Sequence, residues 1–459
     1  MRSPSGVAIP CVSGHEFFPV SAVHPQLALS AFLYPAGQHI TAPHRDTGGS
    51  SDFEHYRRLA ATAEKGLFDF LFLSDADGVR PHDEEIFGHA SKGFATQFEP
   101  FTLLSALAAC TERIGLVATA STSFNEPYQV ARRLASLDHL SAGRAGWNVT
   151  VTQETFEIDN FGEGRGLSRA ARYARASEFV DVVTGLWNGA LPLRHRGDGE
   201  GALPYAGPER RATLDHHGKH FSVRGPLNIS RPPQARPVLA QGVASGAAYA
   251  MALRVADLVF TSQSVLSEAR DFYADFKDRA RTLGRNPDHI RILPDVFAVV
   301  GRTESDARAR FASLQAPIES ADSVALLSYC LDANRRGYPL DGPLPPSSDP
   351  LAPHCGAHAL ADQARDRQMT IRETYLWIAG ARGHWTLVGT PTSIADALEH
   401  WFRDKAADGF NLVPPDLPDS LGDFVELVVP ELQRRGLFRT RYTGTTLRDH
   451  LGLPQGATG

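Results

Sequence analysis

Eight short apolar runs, separated by stretches with helical spacing of apolar positions, constrain this chain more than any other feature. They cover residues 27–33, 68–73, 114–119, 145–149, 237–241, 258–261, 292–300 and 409–413. Strands that alternate with helices build βαβ units and a parallel sheet. Eight of them predict an α/β fold closed as a (β/α)8 TIM barrel rather than left as an open sheet. A length of 459 residues fits such a barrel with long insertions, read as one domain over 1–459.

The helical stretches carry their own punctuation. Ser51-Asp-Phe-Glu54 reads as a capping box opening a helix to Lys65, with Gly66 as its stop. Pro127 fits the first turn of a helix to Leu140, and residues 173–187 and 266–283 show helical periodicity. The apolar stripe with Leu134 and Leu137 serves either its own barrel or a contact between copies of the chain. Three segments break the rhythm: an irregular arm at 1–25 and insertions at about 188–236 and 315–365. Insertions of that length are active-site covers or disordered excursions.

Composition removes several classes of function. A net charge of −6 with both signs interspersed argues against nucleic acid as the main partner. No apolar run is long enough to span a bilayer, and the first residues lack the apolar core of a signal peptide. Cys11, Cys110, Cys330 and Cys355 are far apart with no C-x-x-C pair, so they read as reduced thiols of a cytoplasmic protein.

In barrel enzymes the site lies at the C-terminal ends of the strands. Those ends carry Gly37-Gln38-His39, Ser74-Asp75, Thr119 to Thr122, Asn148 with Thr150, and Gln241 to Gly246. The ring is small and polar with few charges, which suits a flat, polar-edged cofactor better than a metal ion. Asn148 follows the tight turn Ser141-Ala142-Gly143, and an amide at a buried strand end needs a hydrogen-bonding partner. Ser245 and Gly246 open a predicted helix, a natural phosphate seat. Arg169 and Tyr173, one helical turn apart, add a cation and a hydroxyl for the same anion. Taken singly, Ser245 also reads as a plain N-cap and Tyr173 as a half-buried helix residue.

His39 is the leading candidate for proton transfer, beside a purely structural role in the first loop, and His384 ranks second. His216, His217 and His220 lack a nearby acidic or cysteine partner, so they read as solvated loop residues and no metal site is expected. Gly162-Glu-Gly-Arg-Gly166 lacks the spacing of a dinucleotide loop, so no tight NAD(P)H site is expected.

Five phrases carry a family resemblance: RIGLVATASTSFNEPY (113–128), LDHLSAGRAGWNVT (137–150), RYARASEFVDVVTGLW (172–187), FSVRGPLNISRPPQARPVL (221–239) and AADGFNLVPPDLP (406–418). From about Leu27 to LRDHLGLP (447–454) the chain resembles the flavin-dependent monooxygenases of the bacterial-luciferase superfamily. Within it, the similarity is to the group that holds nitrilotriacetate monooxygenase component A, dibenzothiophene sulfone monooxygenase and pristinamycin synthase. The resemblance implies reduced FMN (FMNH2) delivered by a separate NAD(P)H:flavin reductase, O2 as co-substrate, a small organic substrate, and a homodimer or homotetramer.

Carried over by motif, Asp75 faces the flavin edge, Thr119 lines the ring system, Asn148 contacts it, and Tyr173 and Ser245 hold the phosphate. Arg169 stands where relatives often have His. Ala42-Pro43-His44-Arg45 and Asn148-Val149-Thr150-Val151-Thr152 also depart from the family pattern, so substrate identity does not transfer. Two other readings stay open: a deazaflavin-dependent reductase of the same superfamily, and a non-catalytic flavin-binding protein.

Overall fold

The structure, a computed structural model, describes residues 26–34, 51–78, 97–152, 155–161, 167–189, 213–243, 246–316, 339, 341–344, 363–381 and 383–455. Eight parallel strands close a barrel: β1 (Ala28–Leu33), β2 (Phe70–Leu73), β3 (Gly115–Ser121), β4 (Ala145–Thr150), β5 (Val238–Gly242), β6 (Leu258–Thr261), β7 (Arg291–Val300) and β8 (Gly409–Leu412). Each pairs with its sequence neighbour, and β8 returns to β1 through Ala28 opposite Gly409. The expected (β/α)8 fold is therefore present, and every expected strand falls within two residues of its observed ends.

Each strand has an inner and an outer face, because successive side chains alternate. Ala28, Phe70, Phe72, Val117, Val238, Ala240, Leu258, Phe260 and Leu293 form one buried cluster from six strands, which is the barrel interior. Leu447, Leu451 and Leu453 of the C-terminal segment join that cluster. The Leu447 amide donates to the Gly143 carbonyl at the start of β4, so this segment closes the N-terminal end of the barrel. Function is left to the opposite end.

The helices follow the expected punctuation with one shift. Helix α1 (Phe53–Lys65) is capped by Asp52, whose side chain accepts from the Glu54 amide, rather than by Ser51. Gly66 ends it. Helix α2 (Pro100–Ala108) starts from Glu99, whose carboxylate accepts from the amides of Phe101 and Thr102. Helix α3 (Pro127–Leu140) turns Leu134 and Leu137 into its own barrel's core, which settles the use of that stripe; Leu140 stays exposed. Helix α4 (Arg169–Asn188) begins four residues before the expected 173, capped by Ser168. Helix α5 (Gly246–Val255) and helix α6 (Leu266–Thr282) follow β5 and β6.

A ninth strand, Trp385–Gly389, was not expected. It pairs with Val296–Val300, the half of β7 that outruns the barrel. Trp385 stacks on Trp401 at 4.0 Å between ring centroids, pinning this strand to the helix Pro391–Arg403. Within the 188–236 insertion, His216–His217 and Ser222–Val223 form a small hairpin. His216 is not a solvated loop residue: its Nε2 lies 3.0 Å from Glu178 Oε1 on α4, and the same carboxylate accepts from the amides of His220 and Phe221. The arm at 1–25 and most of 315–365 lie outside the described residues. Among the described residues, no helix is long and apolar enough to cross a membrane, no group of three or more His, Cys, Asp or Glu could hold a metal ion, and Cys110 is a free thiol.

Candidate active site

The turn ahead of β4 places Ala142 and Gly143 at φ 54° and 91°, the left-handed region that costs glycine little. The strand it launches turns Asn148 into the barrel beside Thr119 of β3, its partner in register. The Thr119 hydroxyl donates to the Leu73 carbonyl at 2.6 Å, which commits its only proton. It can then only accept from Asn148, and Asn148 Nδ2 donates to it at 3.0 Å. This relay fixes the amide's orientation and leaves Asn148 Oδ1 buried with no hydrogen-bond partner. A buried acceptor without a donor is costly, on the order of 1–3 kcal/mol, and such orphans mark places where a ligand supplies the missing group.

Asp75 follows β2 on the same side, two residues past Leu73. Its carboxylate accepts from the Ala76 amide at 3.0 Å and from Gln97 at 3.3 Å. Burial, then the nearby Asp77 and Glu99 carboxylates, push it up to about 7. A group balanced there can offer a proton or accept one near neutral pH.

The proposed phosphate seat is partly in view. Gly246 is the first residue of α5, and a Cβ added there would meet nothing within 4 Å, so the helix end has room in front of it. Ser245 lies outside the described residues. Arg169 and Tyr173 sit one turn apart in the first turns of α4, Arg169 exposed and Tyr173 half-buried against the main core. Sequence reasoning missed two other cations of this helix. Arg172 donates to the Thr152 carbonyl at 3.1 Å and Arg175 donates to the Thr122 carbonyl, tying α4 to the chain just beyond β3 and β4.

Across the barrel, three further polar groups were also missed. The Ser30 hydroxyl of β1 donates to Asn411 Oδ1 of β8 at 2.7 Å, and Asn411 Nδ2 donates to Asp295 Oδ1 of β7 at 2.7 Å. Asp295 Oδ2 stands 3.3 Å from His384 Nδ1. Burial raises the Asp295 carboxyl to about 7, opposed by the Asn411 hydrogen bond. Between the two polar walls lie the rings of Phe32, Phe72 and Phe260, stacked at centroid distances of 4.6 and 4.8 Å. Phe32 is only half-buried although it faces the barrel interior, so open space borders this aromatic floor. His39, the first-choice proton carrier, lies outside the described residues.

An apolar floor, an orphaned carbonyl oxygen on one wall and tunable carboxyls at the rim fit the edge and face of a planar ring that offers N–H groups. The comparisons with known proteins agree with that shape. A family model described as luciferase-like monooxygenase matches residues 36–408. The chain is 42% identical to N-acetyl-S-(2-succino)cysteine monooxygenase of Bacillus subtilis (strain 168), covering 93% of this chain and 97% of that protein. It is also 42% identical to nitrilotriacetate monooxygenase component A of Aminobacter aminovorans, covering 95% of each. The solved structure of a riboflavin lyase with modified FMN and its substrate riboflavin superposes with a TM-score of 0.79 at 28% identity, covering 94% of this chain and 96% of that one. The chain belongs to the luciferase-like monooxygenase family.

Proposed function

We propose that this chain is the oxygenase component of a two-component monooxygenase. It takes reduced FMN from a separate NAD(P)H:flavin reductase and uses O2 to oxygenate a small organic substrate. The observation that carries this reading is the orphaned Asn148 Oδ1, a buried acceptor held in one orientation beside an aromatic floor. A relative named as component A supports the divided system, and the FMN in a structural neighbour supports the cofactor.

In this reading Asn148 accepts from the ring edge and Thr119 holds Asn148 in place. Asp75 borders the ring, and its balanced carboxyl supplies or takes a proton there. Gly246 and Ser245 at the α5 end, with Arg169 and Tyr173 of α4, take the phosphate. His39 serves as the proton carrier on the substrate side. Bound reduced FMN supplies the electrons that activate O2. Phe32, Phe72 and Phe260 keep the space beneath the ring dry, so each polar contact acts in a low dielectric.

The test supplies the purified protein with NADH, FMN and an unrelated flavin reductase, with nitrilotriacetate and N-acetyl-S-(2-succino)cysteine as the first substrate probes in a wider panel. The expected result is substrate-dependent O2 uptake with one labelled oxygen from 18O2 in the product. Turnover with a reduced deazaflavin under anaerobic conditions, and none with reduced FMN and O2, would overturn it.

A further inference from the structure

Asp295 is an unusual occupant of a barrel strand. It interrupts the apolar run of β7, faces inward, and among the described residues has no Lys or Arg at ion-pair distance. A buried carboxylate without a cation must be satisfied by donors. One oxygen is served by Asn411, whose orientation is itself fixed by the Ser30 hydroxyl, so the amide can present only its Nδ2 to Asp295. Ser30 and Asn411 are almost fully buried, which keeps that clamp dry and rigid. The other oxygen faces Nδ1 of His384 at 3.3 Å.

His384 is brought there by local backbone chemistry. Helix Ile371–Ala381 ends just before it, Gly383 takes φ 82°, and the His384 amide donates to the Ala381 carbonyl at 2.8 Å. The strand Trp385–Gly389 then holds the ring against β7. Three barrel strands and one added strand thus converge on a single imidazole nitrogen.

We propose that Asp295 is a positioning residue for the reaction on this face. Clamped by Asn411 and Ser30, its carboxyl group keeps Nδ1 of His384 protonated and the ring in one tautomer, so that Nε2 is the nitrogen that exchanges a proton with bound reactants. In each exchange a proton bonds to Nε2 as it leaves a reactant, and returns by the reverse path; no electron is transferred. The inference rests on the reading of this end of the barrel as the flavin and substrate site.

The test is 15N NMR of the histidine-labelled full-length protein without ligands, with His384→Gln identifying the ring by its missing signals. Above its titration midpoint, wild-type His384 is expected as the Nδ1–H tautomer. In Asp295→Asn the tautomer is expected to change or become mixed, and the midpoint to fall by about one pH unit or more, since a carboxylate at this distance favours the imidazolium. Ser30→Ala leaves every charge in place and carries the test if Asp295→Asn does not fold; it is expected to mix the tautomers with a smaller midpoint shift. An unchanged tautomer and midpoint in Asp295→Asn, or in Ser30→Ala where that variant alone folds, overturns the proposal. Anaerobic titration of the wild type with reduced FMN runs alongside: absent binding sinks the flavin reading while leaving the Asp295–His384 result to stand or fall on its own.

Discussion

Burial pushes the Asp75 carboxyl up to about 7, and the Asp77 and Glu99 carboxylates add to the shift. An unfolded Asp titrates near 3.9, so between about pH 4 and 7 the folded protein holds a proton that the unfolded chain has released. Folding stability from this residue is therefore present at low pH and is lost as pH rises toward 7. Asp75→Asn removes the titration. Urea midpoints from pH 5 to 8 are expected to show the wild type losing stability relative to the variant as pH rises; parallel curves would contradict the buried, balanced carboxyl. At this scale the sequence was readable where a polar residue stood alone at a strand end, as Asn148 does. Asp295, Asn411 and Ser30 give the same signal, a single polar residue within an apolar run, and went unread because their partners lie 116 and 381 positions apart and meet only when β7, β8 and β1 close the barrel.

Strand closure makes its own demand on glycine. A Cβ at Gly409 would stand 2.2 Å from the Ala28 carbonyl oxygen and 2.6 Å from its amide nitrogen, both backbone atoms of β1 that cannot swing aside. Gly409→Ala is expected to cost about 1–3 kcal/mol of stability through overpacking, read from the urea midpoint. An unchanged midpoint would show that β1 and β8 do not approach this closely. The eight barrel strands were legible because each is a short apolar run between turn signals. Trp385–Gly389 escaped because it pairs only with the overrun of β7 and is half-buried until its last residue, so its five residues carry no core-strand signature. The α1 cap moved from Ser51 to Asp52 because either side chain can accept from an early helical amide, and neighbouring positions compete for that role.

The whole molecule divides its labour between the two ends of the barrel. At the N-terminal end the last segment is locked in place: Arg448 is nearly fully buried, 3.0 Å from Asp257 and donating to the Arg236 carbonyl, while Leu447, Leu451 and Leu453 fill the opening. A closed, stapled base leaves the C-terminal end free to be polar, because its orphaned acceptors need not contribute to stability. The orphan at Asn148 allows flavin binding to be tested without knowing the substrate, by anaerobic equilibrium titration of wild type and Asn148→Ala with reduced FMN. We expect saturable wild-type binding and an affinity roughly 5- to 150-fold weaker in the variant, the equivalent of about 1–3 kcal/mol for a hydrogen bond in a dry site. Equal affinity in the two proteins, or no binding by the wild type, would refute the assignment of Asn148 to the flavin.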